Sequence, residues 1–220
     1  MRDIHSHILP GVDDGSHNLD ESLRMIEAAQ RVGITSIVCT PHCRDPYFDY
    51  DRMRESFEVL QEHAQGFPLT MGFEVNHSKL MELGLDWAPR LCFADGSTFL
   101  LELSTHVKAD RFKEYFSTIY ELQGMGMHVI IAHPERYAAI EDDLSLAQQL
   151  VDAGCELQLS SDCVVGGKSH TNAKQVARHL IKANVISYIA SDAHCPEDYD
   201  YYRRLKRKFY PQGTHARFAK

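Results

Sequence analysis

The strongest constraint in this chain is a regular alternation of short apolar runs with longer amphipathic ones. Seven runs have the length and composition of strands: residues 2–7, 36–40, 69–74, 98–103, 128–133, 156–159 and 185–191. Six stretches carry helical spacing: 19–32, 51–65, 110–124, 144–153, 171–183 and 197–209. In the first of these, Leu19, Leu23, Ile26 and Ala29 share one helix face. Asn18 or Asp20 would start that helix and Gly33 would stop it. Strands that alternate with helices pair in parallel, because each helix returns the chain to the starting edge. Residues 77–93 are less regular and read as an insertion. The pattern fits a barrel of about seven strands or an open doubly wound sheet, built as one α/β domain over residues 1–220.

Composition narrows the partners. A hydrophobic fraction of 44% over 220 residues can build one sizeable core without staples. The formal charge of -8 runs against nucleic-acid binding, in which phosphate contacts demand a basic surface. Apolar stretches such as Phe99-Leu100-Leu101 and Val129-Ile130-Ile131-Ala132 are strand-sized and too short to insert across a bilayer. The opening Met1-Arg2-Asp3-Ile4-His5 lacks the apolar run of a secretion signal. The six cysteines form no C-x-x-C pair, so reduced thiols in the cytoplasm are the expectation.

The chemistry lies where His and acidic residues fall relative to the strands. His5 and His7 share one strand face, and Asp192 and His194 repeat that spacing at the end of the last strand. Asp13 or Asp14 follows the first strand, and His42 lies just past the second. Glu74 ends the third, Glu102 lies near the end of the fourth, and His133 ends the fifth. A lone histidine is ordinarily a surface or satisfied core residue. Here six of the seven strands present a possible ligand at the rim where α/β barrels build active sites. Chance explains one or two such placements, not nine.

Five imidazoles and four carboxylates offer N and O donors and no thiolate, a set that suits Mn, Fe, Zn or Mg. Nine ligands exceed the needs of one ion, so two or three divalent ions are expected, with Glu74 placed to bridge two of them. Close metals activate hydroxide and clamp phosphoryl oxygens, which points to a metal-dependent phosphoesterase. Arg136, three residues after His133, is placed to grip a phosphate oxygen. The remaining histidines (17, 63, 77, 106, 128, 170, 179 and 215) are expected to be non-ligands. Gly166-Gly167-Lys168-Ser169 lacks the earlier glycine of a P-loop and reads as a loop opening the helix at Thr171. The basic run Arg203, Arg204, Lys206, Arg207 and Lys208 reads as a solvated helix face. A cysteine-based tyrosine phosphatase needs Cys-x5-Arg, but Cys43 is followed at that spacing by Asp49 and Cys195 by Tyr201. That mechanism is not encoded.

The stretch from Asp3-Ile4-His5-Ser6-His7 to Gly11-Val12-Asp13-Asp14-Gly15-Ser16 resembles the opening motif of the polymerase-and-histidinol-phosphatase (PHP) superfamily. More narrowly, the chain resembles the bacterial branch of manganese-dependent tyrosine-protein phosphatases tied to capsule and exopolysaccharide synthesis. Thr40-Pro41-His42, Gly72-Phe73-Glu74, His133-Pro134-Glu135-Arg136-Tyr137 and Ser191-Asp192-Ala193-His194 match further motifs of that branch. The resemblance implies a distorted seven-stranded (βα) TIM-like barrel with three metals, Mn foremost, at the C-terminal rim. By position, His5, His7, Glu74 and Asp192 would hold one ion, Glu74, Glu102 and His133 a second, and Asp14, His42 and His194 a third. It thus favours Asp14 over Asp13. It further implies hydrolysis of phosphotyrosine on a membrane-associated tyrosine autokinase, with Arg136, Asp192 and His42 in catalytic roles.

The chain departs from the branch at Tyr199, where an Arg is usual, and at Asn76, where a basic residue is common. Arg203 or Arg204 would then supply the second substrate contact from the next helix turn. Those departures keep a phosphatase of a small, histidinol-phosphate-like monoester in play; a non-catalytic metal-binding module is a further alternative, against which the full ligand set argues.

Overall fold

The computed structural model describes residues 1–166 and 172–209. Nine strands form among these residues: β1 (Arg2–Ser6), β2 (Ser36–Cys39), β3 (His42–Cys43), β4 (Leu69–Met71), β5 (Glu74–Asn76), β6 (Thr98–Glu102), β7 (His128–Ala132), β8 (Glu156–Ser160) and β9 (Tyr188–Ala190). All ladders are parallel, in a three-stranded sheet of order β1-β2-β4 and a six-stranded sheet of order β3-β5-β6-β7-β8-β9.

Nine strands rather than seven arise because the second predicted strand resumes past its expected end as β3 and the third breaks once. The first break falls at Thr40-Pro41, where Pro41 has no N–H for a ladder. The second falls at Gly72-Phe73. A Cβ at Gly72 would lie 2.5 Å from the Phe93 ring, so only glycine lets the strand pass that side chain. Backbone bonds carry the pairing past both breaks: the Gly72 N–H donates to Cys39 O at 2.9 Å and the Glu74 N–H to Pro41 O at 3.2 Å.

The first and last strands also meet. Ser6 and Ala193 form a parallel bridge. The Asp192 N–H donates to His5 O and the His7 N–H to Ala193 O, both at 2.9 Å. Counting each broken strand once, seven staves close into a distorted barrel, not an open sheet.

The helices are α1 (Leu19–Arg31), α2 (Tyr50–His63), α3 (His77–Leu83), α4 (Ala88–Leu91), α5 (Phe112–Gly124), α6 (Ala138–Asp142), α7 (Ser145–Asp152), α8 (Ser161–Val165), α9 (Ala173–Lys182) and α10 (Tyr199–Phe209). Asn18 caps α1 by accepting the Glu21 N–H at 3.0 Å, and Gly33 ends it in the left-handed region at φ +84°. The irregular stretch 77–93 contains the short helices α3 and α4. Gly167, Lys168, Ser169, His170 and His215, including most of the expected loop before α9, lie outside the described residues.

Period-two alternation divides the strands between two apolar layers. Val38, Leu100, Ile130 and Ala132 join Phe93 in a small inner cluster. Ile37, Phe99, Leu101, Val129 and Ile131 pack outward with the helices in the main core. Strands buried on both faces are the mark of parallel sheets. On β6 the residue above Leu100 on the inner side is Glu102, so the apolar interior gives way to ionisable groups at the C-terminal ends of the strands. Among the described residues, no helix is long and apolar enough to cross a membrane.

Candidate metal centre

All nine side chains singled out at the strand ends meet at one mouth. His5 and His7 turn their Nε2 atoms to within 3.2 Å of each other. Glu74 Oε2 lies 3.5 and 3.4 Å from those nitrogens, and Asp192 Oδ1 lies 3.3 and 3.4 Å from them. Glu74 Oε1 meets His133 Nε2 at 2.6 Å, with Glu102 Oε1 3.8 Å from the same nitrogen. His42 spans the other side, with Nδ1 2.7 Å from Glu74 Oε2 and Nε2 3.1 Å from Asp14 Oδ1. His194 Nε2 lies 3.6 Å from Asp14, and its ring stacks on His7 at 4.1 Å.

Three groups bring their donor atoms within 4.8 Å of one another: His7, Asp14, His42 and His194; His5, His7 and Glu74; and His42, Glu74 and Glu102. They overlap the three sets implied by the resemblance but divide differently. His7 and His42 are each shared, while His133 engages Glu74, and Asp192 engages Arg136 and Ser160.

Local backbone explains how two of these residues reach the mouth. On β7, His133 follows the parity of the outward-facing Val129 and Ile131. A left-handed φ of +32° turns it inward. Asp192, just past β9, is likewise left-handed at +53°. For non-glycine residues such angles are costly and gather at functional sites.

A second layer holds the imidazoles. His7 Nδ1–H donates to Asp13 Oδ2 at 2.9 Å, and His5 Nδ1–H donates to the Gln158 carbonyl oxygen at 2.8 Å. Each bond commits Nδ1 as donor and points Nε2 into the cluster. The structure thus separates the two neighbouring aspartates. Asp14 faces the array, while Asp13 stands behind it, accepting also the His42 and Gly15 N–H groups at 3.0 Å. Gly15 is obligatory here, since a Cβ would lie 2.0 Å from His7 O. Tyr137 ties the ends of β6 and β7 together: its hydroxyl donates to Ala132 O at 2.6 Å and accepts the Leu103 N–H at 2.9 Å.

Electrostatics follow from this packing. Burial works against charging Glu74, but His5, His42 and His133 outweigh it and hold its carboxyl well below the ordinary range. Burial likewise opposes charge on Asp192, and Arg136 and His5 prevail, again holding the pKa well below normal. The mouth therefore presents ionised carboxylates at neutral pH. Burial pushes the Cys43 thiol up to about 12 and the Cys195 thiol up to about 11, so neither supplies a thiolate nucleophile.

Arg136 stands at the edge, its Nη2 2.6 Å from Asp192 Oδ2 and 3.4 Å from Asp162 Oδ1. It lines a cavity of about 250 Å³ with Asp162, Ser191, Asp192, His194, Asp198 and Tyr201. Its buried Nε has no hydrogen-bond partner. Arg203, expected at the substrate, is not brought there. It comes two residues after Tyr201, on the opposite side of α10, where it pairs with Asp200 at 3.0 Å and lines an outer groove with Ala28, Arg31 and Val32. Arg204 lies over the Tyr201 ring at 5.8 Å.

Sequence reasoning did not single out Gln158 or Arg44. A glutamine between Leu157 and Leu159 in an apolar strand was a legible signal for the first. Arg44 follows His42 by two residues, and that shared parity was the signal for the second.

A family model described as "Capsular polysaccharide synthesis, CpsB/CapC" matches residues 1–202. The tyrosine-protein phosphatase YwqE of Bacillus subtilis is 34% identical over 203 residues, covering 88% of this chain and 77% of that protein. The tyrosine-protein phosphatase CpsB of Streptococcus agalactiae serotype V is 30% identical over 207 residues, covering 88% and 83%. A crystal structure from work on YwqE of Bacillus subtilis and CpsB of Streptococcus pneumoniae, described as unique metal-dependent tyrosine phosphatases, aligns with a TM-score of 0.80 at 30% identity, covering 98% of this chain and 89% of that one. An amidohydrolase from Burkhoderia ambifaria, solved with bound Zn, shares the fold at a TM-score of 0.52 and 10% identity. With the barrel, its rim of ligand-type side chains and these matches together, the chain belongs to the CpsB/CapC family of capsular polysaccharide synthesis.

Proposed function

We propose that this chain is a metal-dependent tyrosine-protein phosphatase of capsule or exopolysaccharide synthesis, one domain over residues 1–220 acting in the cytoplasm on a membrane-associated tyrosine autokinase. The observation that carries this reading is the convergence of nine imidazole and carboxylate side chains at one barrel mouth, in a chain of the CpsB/CapC family.

The residues fit divalent ions on their own chemistry. His42 Nδ1 and Glu74 Oε2 are buried and approach to 2.7 Å, yet neither has a hydrogen-bond partner, so both lone pairs aim into shared space. His5, His7, Glu74 and Asp192 would hold one ion, Glu74, Glu102 and His133 another, and Asp14, His42 and His194 a third. All donors are N or O, which suits Mn as well as Fe, Zn or Mg. Bound there, such ions supply Lewis-acid neutralisation of phosphoryl charge and acidify water.

The protein's own groups do the positioning. Asp13 and Gln158 fix the orientations of His7 and His5. Arg136 lines the cavity beside Asp192 and would orient the phosphoryl group from its wall. A phenolate leaving group, with a parent pKa of about 10, needs less proton donation than an alkoxide.

Purified chain should release phosphate from phosphotyrosine peptides, lose that turnover to a chelator and regain it with Mn. Chelator-resistant turnover would contradict the mechanism. A preference of about tenfold or more, roughly 1.4 kcal/mol, for a small alkyl phosphate over the peptides would replace the substrate assignment.

A further inference from the structure

We propose that Arg44 is the second phosphate-binding residue of this site, gripping the substrate's phosphoryl oxygens from the side of the mouth that Arg136 does not reach. The inference rests on the phosphatase reading above. Arg44 lies two residues after His42, just past β3, and its guanidinium overlies the ligand-type array. Nη2 donates to His42 Nε2 at 2.9 Å and approaches Asp14 Oδ2 at 3.3 Å, and Nη1 lies 3.7 Å from Glu102 Oε1. Arg136 engages Asp192 and Asp162 instead. The two guanidinium groups share no acidic partner. Among the described residues, they are the only Arg or Lys side chains paired with an acid of the array.

The state of Arg44 suits an anion that comes and goes. Its side chain is 34% exposed, so it can be met from solvent. Nη2 spends its N–H groups on His42 at 2.9 Å and Asp14 at 3.3 Å, while Nη1 at 3.7 Å from Glu102 makes no hydrogen bond there, leaving Nη1 and Nε as donors for two phosphate oxygens. Asp14 and Glu102 are also ligand-type carboxylates, so cations bound there would compete with the guanidinium for them and leave it freer to meet an anion. Tyr47 backs the arginine from behind, with its ring 5.8 Å from the guanidinium and stacked near His42 at 6.0 Å. Position 199, at the start of α10, is tyrosine, and Arg203 lines the outer groove instead.

The test uses the full-length Mn-loaded chain and its R44M and R44K variants. Inorganic phosphate is titrated calorimetrically, metal content is measured on the same samples, and KM and kcat are taken on a phosphotyrosine peptide. Arg44→Met should weaken phosphate binding about tenfold or more and raise KM in step, with metal content unchanged. Arg44→Lys should recover part of the loss, since the ammonium keeps the charge without the planar fork. Phosphate affinity within about twofold of the parent would overturn the proposal, as would parent protein that binds no phosphate. A weakening that tracks a fall in metal content would overturn it too, making Arg44 a positioning residue for the ligands. If the parent binds phosphate through Arg44 yet turns over no phosphoester, the phosphatase reading fails while the binding site stands.

Discussion

Alanine at position 13 would remove the acceptor of three hydrogen bonds at once: from His7 Nδ1 at 2.9 Å and from the His42 and Gly15 N–H groups at 3.0 Å. The Asp13 carboxylate is fully buried, so none of these donors regains water. A buried donor left unpaired costs about 1–3 kcal/mol, and the three share one loop, so their costs do not add fully. We expect Asp13→Ala to lose about 2–4 kcal/mol, or about 5–15 °C in Tm for a chain of this size. The loss has a pH signature. Burial raises the Asp13 carboxyl pKa, but His7 outweighs it and holds it below the ordinary value. Its contribution is therefore full above the unfolded carboxylate pKa of about 4 and fades as pH falls through the lower folded value. Metal affinity should drop about 10- to 100-fold, because His7 loses the partner that orients it. Asp14→Ala makes the contrast. Its carboxylate is 40% exposed, so chelator-treated protein should lose less than about 1 kcal/mol while Mn binding and turnover collapse. Thermal unfolding with chelator, followed by Mn titration, reads both. Equal Tm losses for the two variants, or an Asp13→Ala Tm within about 2 °C of the parent, would refute the assignment of Asp13 as the support and Asp14 as the ligand.

Two further outcomes follow from buried polar contacts. Tyr137→Phe deletes the hydroxyl that joins Leu103 N to Ala132 O, so urea unfolding should show a loss of about 1.5–3 kcal/mol with secondary structure intact; an unchanged midpoint would mean that this tie is idle. His77 is buried against Tyr115 and Thr118, and burial lowers its pKa, with Arg111 adding to the effect against Glu114. Because the unfolded imidazole takes a proton first, stability should fall as pH drops below about 6.5, by at most about 1.4 kcal/mol per pH unit until the folded value is reached. His77→Gln should flatten that part of the curve in chelator; parallel curves for the two proteins would show that His77 does not contribute.

Much of the site was legible because ligand-type residues at strand ends are a local signal. His5, His7, Glu74, Glu102 and Asp192 each declare themselves by their place on a short apolar run. Barrel closure was implied by the family resemblance, but the strand pattern alone left an open sheet in play. Closure depends on Ser6 meeting Ala193, two positions that no local pattern connects. The breaks in the second and third strands had visible causes in Pro41 and Gly72, but apolar content on both sides hid them. The inward turn of His133 ran against strand parity, since a left-handed residue is not announced by its neighbours. Arg203 shows the opposite case: the helical period alone sets it across from Tyr201, which lines the cavity.

The seam between the two sheets gives the metal ligands a mechanical meaning. His5 and His7 ride on the first stave, whose ladder belongs to the three-stranded sheet, whereas Glu74 belongs to the six-stranded one. A cation held jointly by these three would act as a rivet between the two ladders. Cargo loaded for chemistry would thus double as a fastener, adding to the side-chain bonds from Ser191 to Asp3 and from His5 to Gln158 that already cross the line.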